Sequence, residues 1–102
     1  MTTFDEREHA FENKFARDAE LEFIAEAARN KMIAYWAAEL LGKSANDAAQ
    51  YAKEIIRIDF MTPGHEDVVK KLSEDLGDLA DVATIRAKMA EFLTEARRKV
   101  KG

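Results

Sequence analysis

The residues best suited to chemistry are Arg29, Asn30 and Lys31, one helical turn before Tyr35 and Trp36 in the stretch "AARNKMIAYWAAELLG". A guanidinium, an amide and an ammonium beside two aromatic faces could meet an anionic, ring-bearing ligand such as a nucleotide. Tyr and Trp at this spacing equally suit a core. Other reactive groups are few. The chain has two histidines, two serines (Ser44 and Ser73) and no cysteine or glycine-rich phosphate loop, so nucleophile triads, Walker-type sites and thiolate metal sites all lack parts. His9 stands one turn from Asp5 and Asn13 with no second imidazole on that face, and reads as a solvated side chain. His65 reads as a first-turn residue of the third helix. The acids Glu74, Asp75, Asp78 and Asp81 around Gly77 do not follow the calcium-loop pattern and read as capping and solvated groups. No metal site and no catalytic residue is expected. The terminal "RRKVK" suits the negative end of a helix.

A second pattern points outward. In "FDEREHAFENKFARDAE", Phe4, Phe11 and Phe15 fall within about 40° of one another on a helix, among positions that are mostly charged or small. The net charge of −4 resides there too: residues 1 to 22 hold seven acids and three bases, and the rest of the chain thirteen of each. An acidic, aromatic-bearing end on a neutral body lacks the basic stripe that nucleic acid requires. A protein partner fits better.

The elements that must position these residues are helical. One proline and four glycines in 102 residues are too few for a protein of many tight turns, and the size fits one small domain. Gly42 ends the first bundle helix as its C′ residue. Ser44 caps the next, with Asp47 in capping-box position, and that helix should run from about Ala45 to Phe60. Thr62 reads as the cap of a third helix with Pro63 at its first position, Glu66 and Asp67 in its first turn, and Gly77 at its end. Asp81 caps the last. Core faces read as Ile85, Met89, Phe92, Leu93, Ala96 and Val100 in the last helix and Val68, Val69, Leu72 and Leu76 in the third. Ala45, Ala48, Ala49, Ala52, Ile55 and Ile56 form that of the second. In the first, Leu21, Ile24, Ala28, Met32 and Tyr35 read as the seam, widened by Ile33, Trp36 and Leu40. That seam lies about 120° from the phenylalanine stripe, so either the chain bends near Arg17 to Glu20 or the stripe faces something outside the bundle. The longest apolar run, Met32 to Ala38, has seven residues, and charges occupy positions 5 to 8, so neither a secretory signal nor a transmembrane helix is expected and the protein reads as cytoplasmic.

Four stretches, "FDEREHAFENKFARD", "ARNKMIAYWAAELLG", "YAKEIIRIDFMTPGHEDVVKKL" and "IRAKMAEFL", resemble in order and spacing the zeta subunit of alphaproteobacterial F-type ATP synthases, an inhibitor of ATP hydrolysis. The resemblance covers nearly the whole chain. It departs at Met32 and Ala34, where Leu and Gly are expected, and in the shorter linker "GDLADVA". It implies an all-α four-helix bundle over residues 20–102 and a mobile, potentially helical inhibitory segment over residues 1–19. That segment would enter the catalytic interface of the ATPase head, formed by the alpha, beta and gamma subunits, through Phe4, Arg7, Glu8, Phe11, Lys14 and Phe15. The bundle would bind ADP or ATP without requiring a cofactor, with Arg29, Asn30, Lys31, Tyr35 and Trp36 as the candidate site. The protein would sit in the cytoplasm, held peripherally at the inner membrane through ATP synthase, with no membrane insertion and no nucleic acid bound. The competing reading is a nucleotide-sensing helical module unrelated to ATP synthase.

Overall fold

The computed structural model describes the backbone of residues 3–101 and the side chains of residues 18–100. The chain forms four α-helices: α1 (Thr3–Leu40), α2 (Ala45–Met61), α3 (Glu66–Leu76) and α4 (Val82–Lys101). A 3₁₀ turn at Gly77–Leu79 links α3 to α4, and no strand occurs among the described residues. α4 runs antiparallel to α1: Glu22 pairs with Arg97, while Arg29, nearer the middle of α1, shares a cleft with Met89 and Leu93.

The turns follow from local chemistry. Beyond α1, the Gly42 N–H donates to the Glu39 carbonyl at 3.1 Å and the Lys43 N–H to that of Ala38 at 3.0 Å. This paired closure needs the positive φ of 71° that Gly42 supplies. Ser44 caps α2 by accepting the Asp47 N–H at 3.2 Å, and Asp81 caps α4 by accepting the Thr84 N–H at 2.7 Å. The expected start of the third helix requires correction. Thr62 and Pro63 do not open α3; Thr62 is extended (φ −131°, ψ 131°) and follows α2, which continues to Met61. A residue before proline is driven away from helical geometry, and Gly64 at φ 83° breaks the path again, so α3 opens only at Glu66, with His65 in the cap position.

The core is built from Ile33, Tyr51, Ile55, Val68, Leu72, Leu76, Ile85 and Met89, with alanines of α1 and α2 closing the gaps. The face expected for α3 is buried as read; in α4 Ile85, Met89 and Ala96 are buried while Phe92, Leu93 and Val100 are half-buried, and in α2 Tyr51 joins Ala48, Ala52 and Ile55 while Ala45, expected on that face, is exposed at the helix start. The seam expected for α1 is not the one observed. Ile24, Tyr35 and Leu40 are exposed, and the buried face runs through Ala25, Arg29, Ile33 and Ala37, flanked by Asn30, Ala34 and Ala38. Apart from Ile33, which was expected to widen the seam, alanines and two polar residues carry this face, so hydrophobic periodicity selects its neighbour.

The buried face of α1 runs at the azimuth of Arg29 and Ile33 and not at that of the expected seam. Helix α1 passes through residues 17–20 without interruption. The partner-contact side chains Phe4, Arg7, Glu8, Phe11, Lys14 and Phe15, and the expected mobility of their segment, lie outside the described residues. With 38 residues α1 outruns every other helix, and the molecule extends 62 × 25 × 24 Å.

Candidate functional site

Arg29 and Asn30 lie at the centre of a buried polar cluster under the α2–α3 linker, each 2% exposed. Arg29 Nε donates to Asn30 Oδ1 at 3.0 Å, and Asn30 Nδ2 donates to Asp59 Oδ2 at 2.7 Å. Arg29 Nη2 lies 3.5 Å from that same carboxylate oxygen. His65 closes the cluster, its Nδ1 2.9 Å from both Arg29 Nη2 and Asp59 Oδ1. One ring nitrogen cannot accept from the guanidinium and donate to the carboxylate at once, so its proton decides which contact is a hydrogen bond. Glu26 approaches the other ring nitrogen at 3.9 Å. Burial lowers Arg29 from its ordinary value, against the opposing charges of Asp59, Glu26 and Glu22. No buried polar side-chain atom among the described residues lacks a hydrogen-bond partner. The cluster pins the middle of α1 to the linker after α2, and its groups are engaged with one another.

A cleft of about 660 Å³ opens beside it, with Asn30, Asp59, Glu26 and His65 on its polar side and Phe23, Ile56, Phe60 and Met61 on its apolar side. Phe23 and Phe60 meet edge to face at 5.7 Å and 80°. Both rings remain largely exposed, at 54% and 72%.

Lys31, Tyr35 and Trp36 lie elsewhere. They line an open groove of about 480 Å³ against α4, with Met32, Glu39, Phe92, Glu95 and Lys99. The structure thus divides the five positions of the expected nucleotide site, bringing Lys31, Tyr35 and Trp36 together with Lys99 and setting Arg29 and Asn30 in the polar cluster. Sequence reasoning missed Asp59 and Glu26 and gave His65 only a first-turn position. No signal in the sequence marked them, because Arg29 lies off the expected seam and Asp59 comes from another helix.

A third polar group ties α2 to α3. Tyr51 Oη donates to Asp75 Oδ2 at 2.8 Å, and Lys71 Nζ lies 2.9 Å from the same oxygen. Burial pushes the Tyr51 phenol up, and the Asp75 bond adds to it. Burial alone would raise Asp75, but the hydrogen bonds from Lys71 and Tyr51 prevail and hold it below its ordinary value. No three His, Asp or Glu side chains among the described residues are arranged to hold a metal ion. None of their helices is long and apolar enough to cross a membrane.

The described residues form a four-helix body with one overlong first helix. The chain matches the family described as ATPase inhibitor subunit zeta over residues 1–99, and it belongs to that family. It is also similar to a protein whose structure was solved by solution NMR, with 41% identity and a TM-score of 0.72, over 79% of this chain and 95% of the other. No curated protein matches. Family membership sets aside the reading as a module unrelated to ATP synthase.

Proposed function

We propose that this protein inhibits ATP hydrolysis by an F-type ATP synthase, with residues 1–19 as the inhibitory segment and residues 20–102 as the bundle that carries it. The family match over residues 1–99 carries this reading. The shape of the molecule supports it. Asp18, Leu21 and Glu22 share a pocket with Arg97 and Val100 at the end of α4, whereas α1 begins at Thr3. At 1.5 Å per residue the intervening stretch of α1 spans about 22 Å. In this reading it enters the catalytic interface of the head, among the alpha, beta and gamma subunits, and blocks rotation in the hydrolysis direction. Phe4, Phe11 and Phe15 serve as apolar anchors, with Arg7, Glu8 and Lys14 as polar contacts around them. Bound to the head, the protein resides on the cytoplasmic side of the inner membrane. Steady-state ATPase assays with the full chain and with residues 19–102 test the proposal. The full chain should inhibit; the truncated chain should fold cooperatively by circular dichroism and fail to inhibit. A truncated chain that inhibits equally would assign the activity to the bundle.

The groove beside α4 supports a second activity of the bundle, weak binding of ADP or ATP. Lys31 and Lys99 supply ammonium groups, Lys99 paired with Glu95 at 3.4 Å, and Tyr35 and Trp36 supply aromatic surface within one groove. Arg29 and Asn30 would act there only through the packing of α1. Chemical-shift mapping with ADP should perturb Lys31, Tyr35, Trp36 and Lys99, and shifts confined to other residues would remove this site.

A further inference from the structure

The cleft beside the polar cluster combines two properties that the fold does not use. Among the described residues, Met61 and Phe60 are the most exposed of the large apolar side chains, at 75% and 72%, and Phe23 stands beside them. Apolar groups gathered at one open rim mark a contact surface, because a single small molecule would leave most of that area in water. The cleft is also acidic. Glu26 and Asp59 line it, and no lysine or arginine does. The charge of Asp59 is matched by Arg29. Glu26 meets His65 at 3.9 Å and acts on Arg29 and Arg97 from further away, and its side chain keeps 34% of its exposure.

We propose that this cleft is a second docking point on the ATPase head, receiving a lysine or arginine side chain from the head surface; the inference rests on the inhibitor reading above. Charge complementarity selects the occupant. A carboxylate with spare acceptor capacity stands beside two aromatic rings, a setting that favours a cation on an apolar stem and disfavours an anion. The volume of about 660 Å³ exceeds one ammonium or guanidinium group, leaving room for the stem and its apolar neighbours against Phe60 and Met61. The inhibitory segment would then supply the block while the cleft fixes the bundle on the outside of the head, raising the local concentration of the segment at its target.

The test uses the full chain and the ATPase head from the same source. Phe60→Ala/Met61→Ala should raise the half-inhibitory concentration about tenfold, while the thermal melt of the free protein falls only slightly, since both side chains are exposed and only the Phe23–Phe60 ring contact is lost. Glu26→Gln should raise it severalfold and flatten its dependence on salt, and Glu26→Lys should do more than Glu26→Gln. Exposed Lys53→Ala, outside the cleft, serves as the control and should change nothing. Variants that inhibit like the wild type, beside a wild type that does inhibit, would overturn the docking point and leave the inhibitor reading intact. A wild type without inhibition would overturn the inhibitor reading itself. Loss on Phe60→Ala/Met61→Ala with no change on either Glu26 substitution would refute a cationic occupant. Sedimentation showing that the wild type self-associates through Phe60 and Met61 would assign the cleft to a second copy of the chain.

Discussion

Removing the carboxylate of Asp59 should be among the most destabilising single changes outside the apolar core. Asp59→Ala takes away the acceptor of the 2.7 Å bond from Asn30, the 2.9 Å partner of His65, and the charge 3.5 Å from a guanidinium that is 2% exposed. Breaking a buried ion pair from one side costs about 3 to 5 kcal/mol, because the remaining charge stays buried without its partner. The lower end applies here. The separation of 3.5 Å is long, and Glu26 and Glu22 still act on Arg29 from further away. A loss of about 3 kcal/mol would take a large share of a small domain's stability and lower the melting temperature by about 15 °C. Asp59→Asn, which keeps an acceptor for Asn30 but removes the charge, should cost about 2 kcal/mol. The double variant Arg29→Met/Asp59→Asn should be more stable than the sum of the single losses, because it leaves no unpaired charge. Urea denaturation at pH 7 of the wild type, the single variants Asp59→Ala, Asp59→Asn and Arg29→Met, and the double variant measures these quantities. Single losses below about 1 kcal/mol, or a double variant that merely adds them, would refute the account of the cluster as a charge-paired unit.

Tyr51→Phe should cost about 1 kcal/mol at pH 7 by removing the hydrogen bond to Asp75, as read from chemical denaturation. The folded protein holds the Asp75 carboxyl below its ordinary value, so its stabilisation is complete above the unfolded value of about 3.9 and is lost as pH falls through the folded one. The gap between Tyr51→Phe and wild type should therefore close in strong acid, and a gap that persists would point to packing alone. Phe11→Ala or Phe15→Ala should weaken inhibition about 30-fold in an ATPase titration, as expected of interface anchors worth about 2 kcal/mol. Glu12→Ala should cost less than about 1 kcal/mol, as a rim charge does, and equal effects would refute the anchor assignment. Asp81→Ala should lower stability by about 1 kcal/mol in the same denaturation experiment by stripping the cap from α4.

The punctuation of the fold was readable because single residues set it. Gly42, Ser44, Gly77 and Asp81 each act through one turn or cap, and each stands at the boundary expected of it. The start of α3 was misplaced because Thr62 and Pro63 also suit a helix opening; Gly64 and the restriction before proline decide against it. Much of the bundle core followed from periodicity, since α3 and α4 bury large aliphatic side chains. The face of α1 did not, because it buries alanines and an Arg–Asn pair while presenting Ile24 and Tyr35 to solvent. The polar cluster remained hidden for the same reason. Asp59 lies 30 residues from Arg29, and only tertiary packing makes them neighbours. The groove with Lys31, Tyr35 and Trp36 was partly legible, as a local group on α1, but its fourth member, Lys99, comes from α4.

Because α1 belongs both to the bundle and to the stretch before it, its aim is set by how it is seated among its neighbours. A rod has leverage. Over the roughly 22 Å of α1 between Thr3 and Asp18, a tilt of roughly ten degrees at the seat would swing the far end by about 4 Å, the scale of one van der Waals contact. Ala25 and Ala96, both buried, stand near that seat. Enlarging either would re-aim the rod, so a substitution within the bundle can change what happens at the far end without touching any residue there.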